Sequence, residues 1–334
     1  MLFGEGTSRE EADGLLSAAA DCGINFFDSA EMYPVPQRAA TQGASERILG
    51  AWLCQRRRDD HFVATKVTGP SGQMQWIRGG PPALDRAAIT SAVDGSLARL
   101  QTDYIDLYQL HWPDRYVPMF GEVDYDPRRA YSAVGLDEQL EALGAVVAAG
   151  KVRRVGLSNE TPWGLMTTCH LARARPELPK VATIQNAYSL LCRTFDAGLA
   201  ECCHEEGVRL LAYSPLAMGL LTGKYLAADG GPPGARLNRY RGRYAEAESR
   251  YGPRPNVLEA TRAYVALAAA AGIAPAELAL RFVLSRPLVA GVVAGATSKG
   301  QLRELAGAAA RGPLPNELLQ RVDQIHARYP NPAL

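Results

Sequence analysis

The chain has 334 residues, 47% of them hydrophobic, and a formal net charge of +1. That is apolar material for one large core or two ordinary ones, with no global field to steer nucleic acid or an anionic membrane surface. No apolar run approaches the ~20 residues that span a bilayer, and no basic segment followed by an apolar core marks the N-terminus. A cytoplasmic protein that acts on neither membrane nor nucleic acid is expected.

Helix and strand patterns alternate from end to end. Ala12, Leu15, Leu16 and Ala19 share one face of a helix after Thr7, with Glu10 placed for a capping box. Residues 24–28 read as a short buried strand, 45–57 as a helix and 62–67 as the next strand. Asp85 is an N-cap for a helix whose stripe is Ile89, Ala92, Val93, Leu97 and Leu100. A strand is expected over 105–110. Leu136, Leu140, Leu143 and Val147 then form another helical stripe that stops at Gly150. Further strands are expected at 154–157, 182–185, 209–212 and 288–293, with helices between them and a closing helix over 314–329. Residues 69–82, 112–132 and 229–255 read as loops; the last, crowded with Gly, Pro, Arg and Tyr, has the length of a lid, a binding loop or a disordered segment, and its basic residues suit either a phosphate or a solvated surface. No linker divides the chain, so one domain over 1–334 is expected.

Short apolar runs separated by helices indicate a parallel sheet covered on its outer face. A barrel is favoured over an open doubly wound sheet, because no G-x-G-x-x-G follows an early strand and polar residues recur just past nearly every strand. The six cysteines form no C-x-x-C pair, and Cys202 and Cys203 are adjacent, so reduced structural thiols are expected rather than a metal site.

The polar residues past the first strands are Asp28 and Tyr33 in NFFDSAEMY, Lys66 in HFVATKV and His111 in YIDLYQLHW. Carbonyl reduction by a nicotinamide needs a proton for the developing alkoxide. A phenol can give it, eased by a nearby ammonium that stabilises the phenolate. A carboxylate holds the ammonium in place, and an imidazole can donate a hydrogen bond to the carbonyl oxygen. No metal is required. Trp112, beside His111, is a candidate wall of the substrate pocket. A barrel aldolase using Lys66 as a Schiff-base nucleophile is the competing chemistry.

In their local contexts these residues resemble the aldo-keto reductase superfamily. GINFFDSAEMY is similar to its Asp/Tyr segment, FVATKV to its lysine strand and DLYQLHWPD to its histidine strand. VGLSNE, IQNAYSLL, LLAYSPLAMGLLTGKY and GATSKGQLREL follow in the family's order over nearly the whole chain. SAEMYPVPQRAATQG and KVTGPSG look most like the Tas-like branch. The resemblance implies a (β/α)8 TIM barrel that reduces aldehydes or ketones with NADPH, forming NADP+. It implies a small-molecule carbonyl substrate and Asp28, Tyr33, Lys66 and His111 as the catalytic set.

Carried over in the same way, Ser158, Asn159 and Gln185 would hold the nicotinamide carboxamide, and Tyr213 would stack on its ring. Ser214, Leu216, Gly219, Leu221 and Lys224 would follow the pyrophosphate. Gly295, Thr297, Ser298, Gln301 and Glu304 would surround the adenosine end. Lys224, Arg236, Lys299 and Arg303 would suit a 2′-phosphate. Leu305 stands where the family commonly has Asn, which removes one adenine hydrogen bond at a cost of ~1 kcal/mol. Family members begin with a hairpin and a first barrel strand ahead of a segment like MLFGE, where this chain starts. The expected barrel therefore lacks its first strand and leaves two edges exposed, and a misassigned start or a truncation, with Met1 originally internal, is the expectation. The resemblance also admits an NADPH-binding regulatory subunit with little turnover.

Overall fold

A computed structural model describes residues 1–334. Its seven strands are β1 (Phe26–Asp28), β2 (Phe62–Val67), β3 (Ile105–Leu110), β4 (Val152–Ser158), β5 (Val181–Ala187), β6 (Arg209–Tyr213) and β7 (Val289–Val293). They are parallel and pair in chain order from β1 to β7, as consecutive right-handed strand–helix units require. Helices alternate with them: α1 (Arg9–Asp21), α2 (Ala44–Leu53), α3 (Arg86–Leu100), α4 (Leu136–Ala148), α5 (Pro162–Ala174) and α6 (Leu199–Glu206). After β6 come α7 (Arg236–Arg239), α8 (Ala245–Tyr251), α9 (Val257–Ala270) and α10 (Pro275–Leu284), and after β7 come α11 (Lys299–Ala310) and α12 (Asn316–Arg328). The result is a nearly closed (β/α)8-type barrel. β1 and β7 remain its two edges, while outside them α1 packs on α11.

Two apolar layers hold the strands. The larger, of 60 buried residues, lies between the sheet and its helices and contains Val63, Val93, Tyr108, Val155 and Phe282. The smaller fills the barrel interior, where Ala64, Leu107 and Leu211 meet Phe26, Phe62 and Val293. Side chains alternate between these layers along each strand, because successive Cβ atoms point to opposite faces. No single helix is long and apolar enough to cross a membrane.

Most expected elements occur close to their expected limits, and four differ. The α1 capping box uses Ser8 and Glu11, one residue beyond the Thr7–Glu10 spacing, because Ser8 carries the extended backbone that an N-cap needs. α2 ends at Leu53 rather than near 57, and Arg58 turns away to pair with Asp106 at 2.7 Å. The α4 stripe buries Leu140, Leu143 and Val146, leaving Val147 half-buried. Segment 229–255 is not an open loop, for it carries α7 and α8 and buries Tyr240, Tyr244, Ala247 and Tyr251.

Candidate active site

Above the apolar interior, at the C-terminal ends of the strands, lies a layer of polar side chains. Lys66 projects inward from β2 and is fully buried, its ammonium paired with Asp28 and donating to the Ser29 carbonyl at 2.7 Å. The other Asp28 oxygen accepts from Gln185 Nε2 at 2.9 Å and Gln109 Nε2 at 3.2 Å, and Gln185 also donates to Gln109 Oε1. A buried ion pair is stable only when such further bonds satisfy it. Gly156 makes room for this layer, since a Cβ there would lie 2.7 Å from Thr183 Oγ1 and 3.2 Å from Gln109 Cγ.

Tyr33 and His111 sit over this pair. Their rings meet edge to face with centroids 5.6 Å apart, and Lys66 Nζ lies 5.4 Å from the Tyr33 ring centre. Burial, then the Lys66 ammonium, holds the His111 imidazole well below its ordinary value, so it is neutral near pH 7. The phenol departs from the sequence expectation. Burial, then the charges of Asp28 and Glu246, pushes Tyr33 well above its usual value. The Lys66 ammonium is paired with Asp28, and burial is the leading influence on the phenol, so Tyr33 rests as the protonated acid. Trp112 packs on His111 at 4.8 Å and anchors its indole N–H on the Pro70 carbonyl at 2.8 Å.

One cavity of about 1680 Å³ takes in Asp28, Tyr33, His111 and Trp112, then continues past Ser158, Asn159, Gln185 and Tyr213. Asn159 Nδ2 donates to the His111 carbonyl at 2.8 Å, and its Oδ1 accepts from the Tyr213 hydroxyl at 2.7 Å. Ser158 Oγ donates to the Gln185 carbonyl at 2.8 Å. Asn159 and Ser214 both have left-handed backbone, at φ values of +53° and +55°. Such strain at the ends of two strands is characteristic of functional sites.

The cavity then reaches Ser214, Leu216, Gly219, Lys224 and Arg236, and ends along Gly295, Thr297, Gln301, Glu304 and Leu305. Five expected residues fall outside its lining, among them Lys66, Leu221 and Ser298. Lys66 is sealed beneath it, Leu221 is buried in the core, and Ser298 serves as the N-cap of α11. The four basic residues also part company. Arg236 stands over Tyr244, with its guanidinium 5.7 Å from the ring centre, whereas the Lys299 side chain lies along Gly14 of α1. Arg303 is exposed on α11, and only Lys224 and Arg236 line the cavity.

Residues 1–327 match the family model described as the Aldo/keto reductase family. The chain belongs to that family. This aldo/keto reductase chain is 43% identical, over all of its length and 94% of the relative's, to Protein tas of Escherichia coli. It is 28% identical to the L-glyceraldehyde 3-phosphate reductase of the same bacterium, over 96% of this chain and 85% of the relative. A probable voltage-gated potassium channel subunit beta of Oryza sativa is 29% identical, over 91% and 83%. The family is one of NADP-dependent oxidoreductases in general.

Reading the sequence of this family member did not single out Gln109, although it is two residues before His111 on β3 and so on the same face, a signal that was legible. Nor did it place the helix α8 in segment 229–255, a stretch whose length had suggested a lid, a binding loop or disorder. There Arg250, only 2% exposed, donates to the Tyr213 hydroxyl at 3.1 Å, and Glu246 accepts from the Tyr244 hydroxyl at 2.9 Å. Nothing periodic marks a seven-residue helix inside a Gly- and Pro-rich stretch.

Proposed function

We propose that this chain reduces aldehydes or ketones to alcohols with NADPH. The observation that carries the reading is the convergence of Tyr33, His111 and the Lys66–Asp28 pair at one end of a cavity of about 1680 Å³ that continues to α11. Its lining suits a dinucleotide. Ser158, Asn159 and Gln185 offer amide and hydroxyl partners for a carboxamide, Tyr213 a flat ring, and Lys224 and Arg236 cations for phosphates. Gly295, Thr297, Gln301 and Glu304 border the far end, and the buried His111 Nδ1 lacks a partner.

NADPH would supply the hydride. His111, neutral, would orient the substrate by a hydrogen bond to its carbonyl oxygen, and Trp112 would wall the pocket. Tyr33, held protonated, would deliver its proton to that oxygen as negative charge develops. Lys66, fixed by Asp28 and the Ser29 carbonyl, would stabilise the phenolate left behind. A Schiff-base role for Lys66 finds less support, because its amine is wholly buried and already bonded.

The test is a fluorescence titration with NADPH and NADH followed by a carbonyl panel. Tyr33→Phe should lower kcat by at least ~10²-fold with NADPH affinity preserved; undiminished turnover would refute the assignment. Similarity to the probable potassium channel subunit of Oryza sativa supports a second reading, an NADPH-binding subunit of a larger assembly, for which binding without turnover is the signature.

A further inference from the structure

Tyr213 ends β6 and lines the cavity with Asn159 and Gln185. Its hydroxyl carries one hydrogen, donated to Asn159 Oδ1 at 2.7 Å, so the remaining lone pairs can only accept. Arg250 Nη1 is the donor that reaches them, at 3.1 Å. Asn159 carries the chain on, with Nδ2 donating to the His111 carbonyl at 2.8 Å. A guanidinium only donates and a backbone carbonyl only accepts, so every link between them has one possible direction. Such a chain polarises along its length, and each bond strengthens its neighbours. Arg250 enters it from outside the barrel. On α8, Ala245, Glu246 and Ser249 line the cavity, whereas Arg250 does not, and its side chain is 3% exposed. Glu246, one turn earlier, is 3.6 Å away, too far for a hydrogen bond, and Arg250 Nε has no partner. The Tyr213 hydroxyl is therefore the one hydrogen bond this side chain makes. A buried guanidinium is costly to desolvate, and an apolar residue would serve the packing of α8 as well.

We propose that Arg250 is a positioning residue for the hydride donor. It fixes the tilt of the Tyr213 ring on which the nicotinamide would rest and, through Asn159, ties that ring to the strand end that carries His111. The assignment rests on the dinucleotide reading above. Without Arg250 the ring stays in the cavity wall, but its hydroxyl end loses the anchor that sets its angle. Small errors of orientation at a reacting centre are costly in rate.

The test is a double-mutant cycle read as NADPH affinity by fluorescence titration. Tyr213→Phe breaks the bond from the barrel side and leaves α8 untouched, and Arg250→Met breaks it from the other side. Each should weaken NADPH binding about tenfold. Together they should weaken it no more than about twofold beyond Tyr213→Phe alone, because the second change finds no bond left to break. Arg250→Lys, which keeps one donor for one acceptor, should bind within about threefold of the native protein. With a carbonyl substrate, Arg250→Met should lower kcat about tenfold and change the carbonyl KM by less than about twofold. Losses that multiply in the double variant, or an Arg250→Met protein that binds NADPH as the native one does, overturn this assignment alone. A native protein that binds neither NADPH nor NADH overturns the dinucleotide reading and this assignment with it.

Discussion

The two sides of the barrel are built differently. On β2 and β3 nearly every residue is buried, and the polar side chains at their ends are tied to one another by ion pairs and amide bonds. On β7 no residue is fully buried, and beyond it the side chains of Thr297, Ser298 and Gln301 hydrogen-bond only within this one turn. Neighbouring strands on both sides press β2 and β3 into one arrangement, whereas β7 has a partner on one side only. The Tyr33–His111 end of the cavity is thus preorganised by packing, and the Gly295–Glu304 end by local turns.

That contrast predicts unequal consequences for similar changes. Lys66→Met leaves the Asp28 carboxylate buried without its cation and should cost about 3–5 kcal/mol in urea unfolding. Lys299→Met, exposed along α1, should change stability by less than ~0.5 kcal/mol. Equal losses would mean that the two sides are not built as described. Apolar truncation should show the same asymmetry on a smaller scale. Val155→Ala on β4, at 1% exposure, should cost about 2 kcal/mol, and Val292→Ala on half-buried β7 less than ~1 kcal/mol.

Acid should reveal the dense side as well. Burial, then Lys66, depresses the His111 value, so the folded protein keeps the imidazole neutral where the unfolded chain protonates it. Below the ordinary value of 6.5 the unfolded state binds the extra proton, and stability falls with falling pH. The contribution is complete above 6.5 and is lost once the pH drops beneath the folded value. His111→Gln should flatten the decline in stability between pH 6.5 and 5; an unchanged slope would show that the imidazole titrates freely.

The same asymmetry explains what the sequence disclosed. β2 and β3 read clearly because continuous apolar runs bounded by Lys66 and His111 have one sensible placement, buried on both faces. Asp28, Tyr33, Lys66 and His111 were legible as a set because each lies at or beyond the C-terminal end of a strand, and those ends converge in a barrel. Segment 229–255 was legible only as a long loop that could be a lid; α8 was not, since the burial of Tyr244 and Arg250 depends on contacts with Tyr213 and Glu246 that no local pattern encodes. The separation of Arg236 from Lys299 was hidden for a similar reason. Charge type is visible in a sequence, but whether a long side chain reaches a cleft or lies along a neighbouring helix is set by packing.

Ser298 offers the finest discrimination between the two sides. Family resemblance placed it beside the adenosine end of a cofactor, yet its hydroxyl accepts from Gln301 N at 3.2 Å as the cap of α11. Ser8 does the same for α1 with Glu11 N, also at 3.2 Å, in a reciprocal box. Loss of either cap should therefore cost about 1 kcal/mol, measured as urea unfolding of Ser8→Ala and Ser298→Ala. A role in cofactor binding alone would leave the stability of Ser298→Ala unchanged while weakening NADPH affinity. A capping role lowers stability in the absence of NADPH, and Ser298→Asp, which can cap but repels a phosphate, separates the two. It should restore stability and, if the hydroxyl also faces the nucleotide, fail to restore affinity.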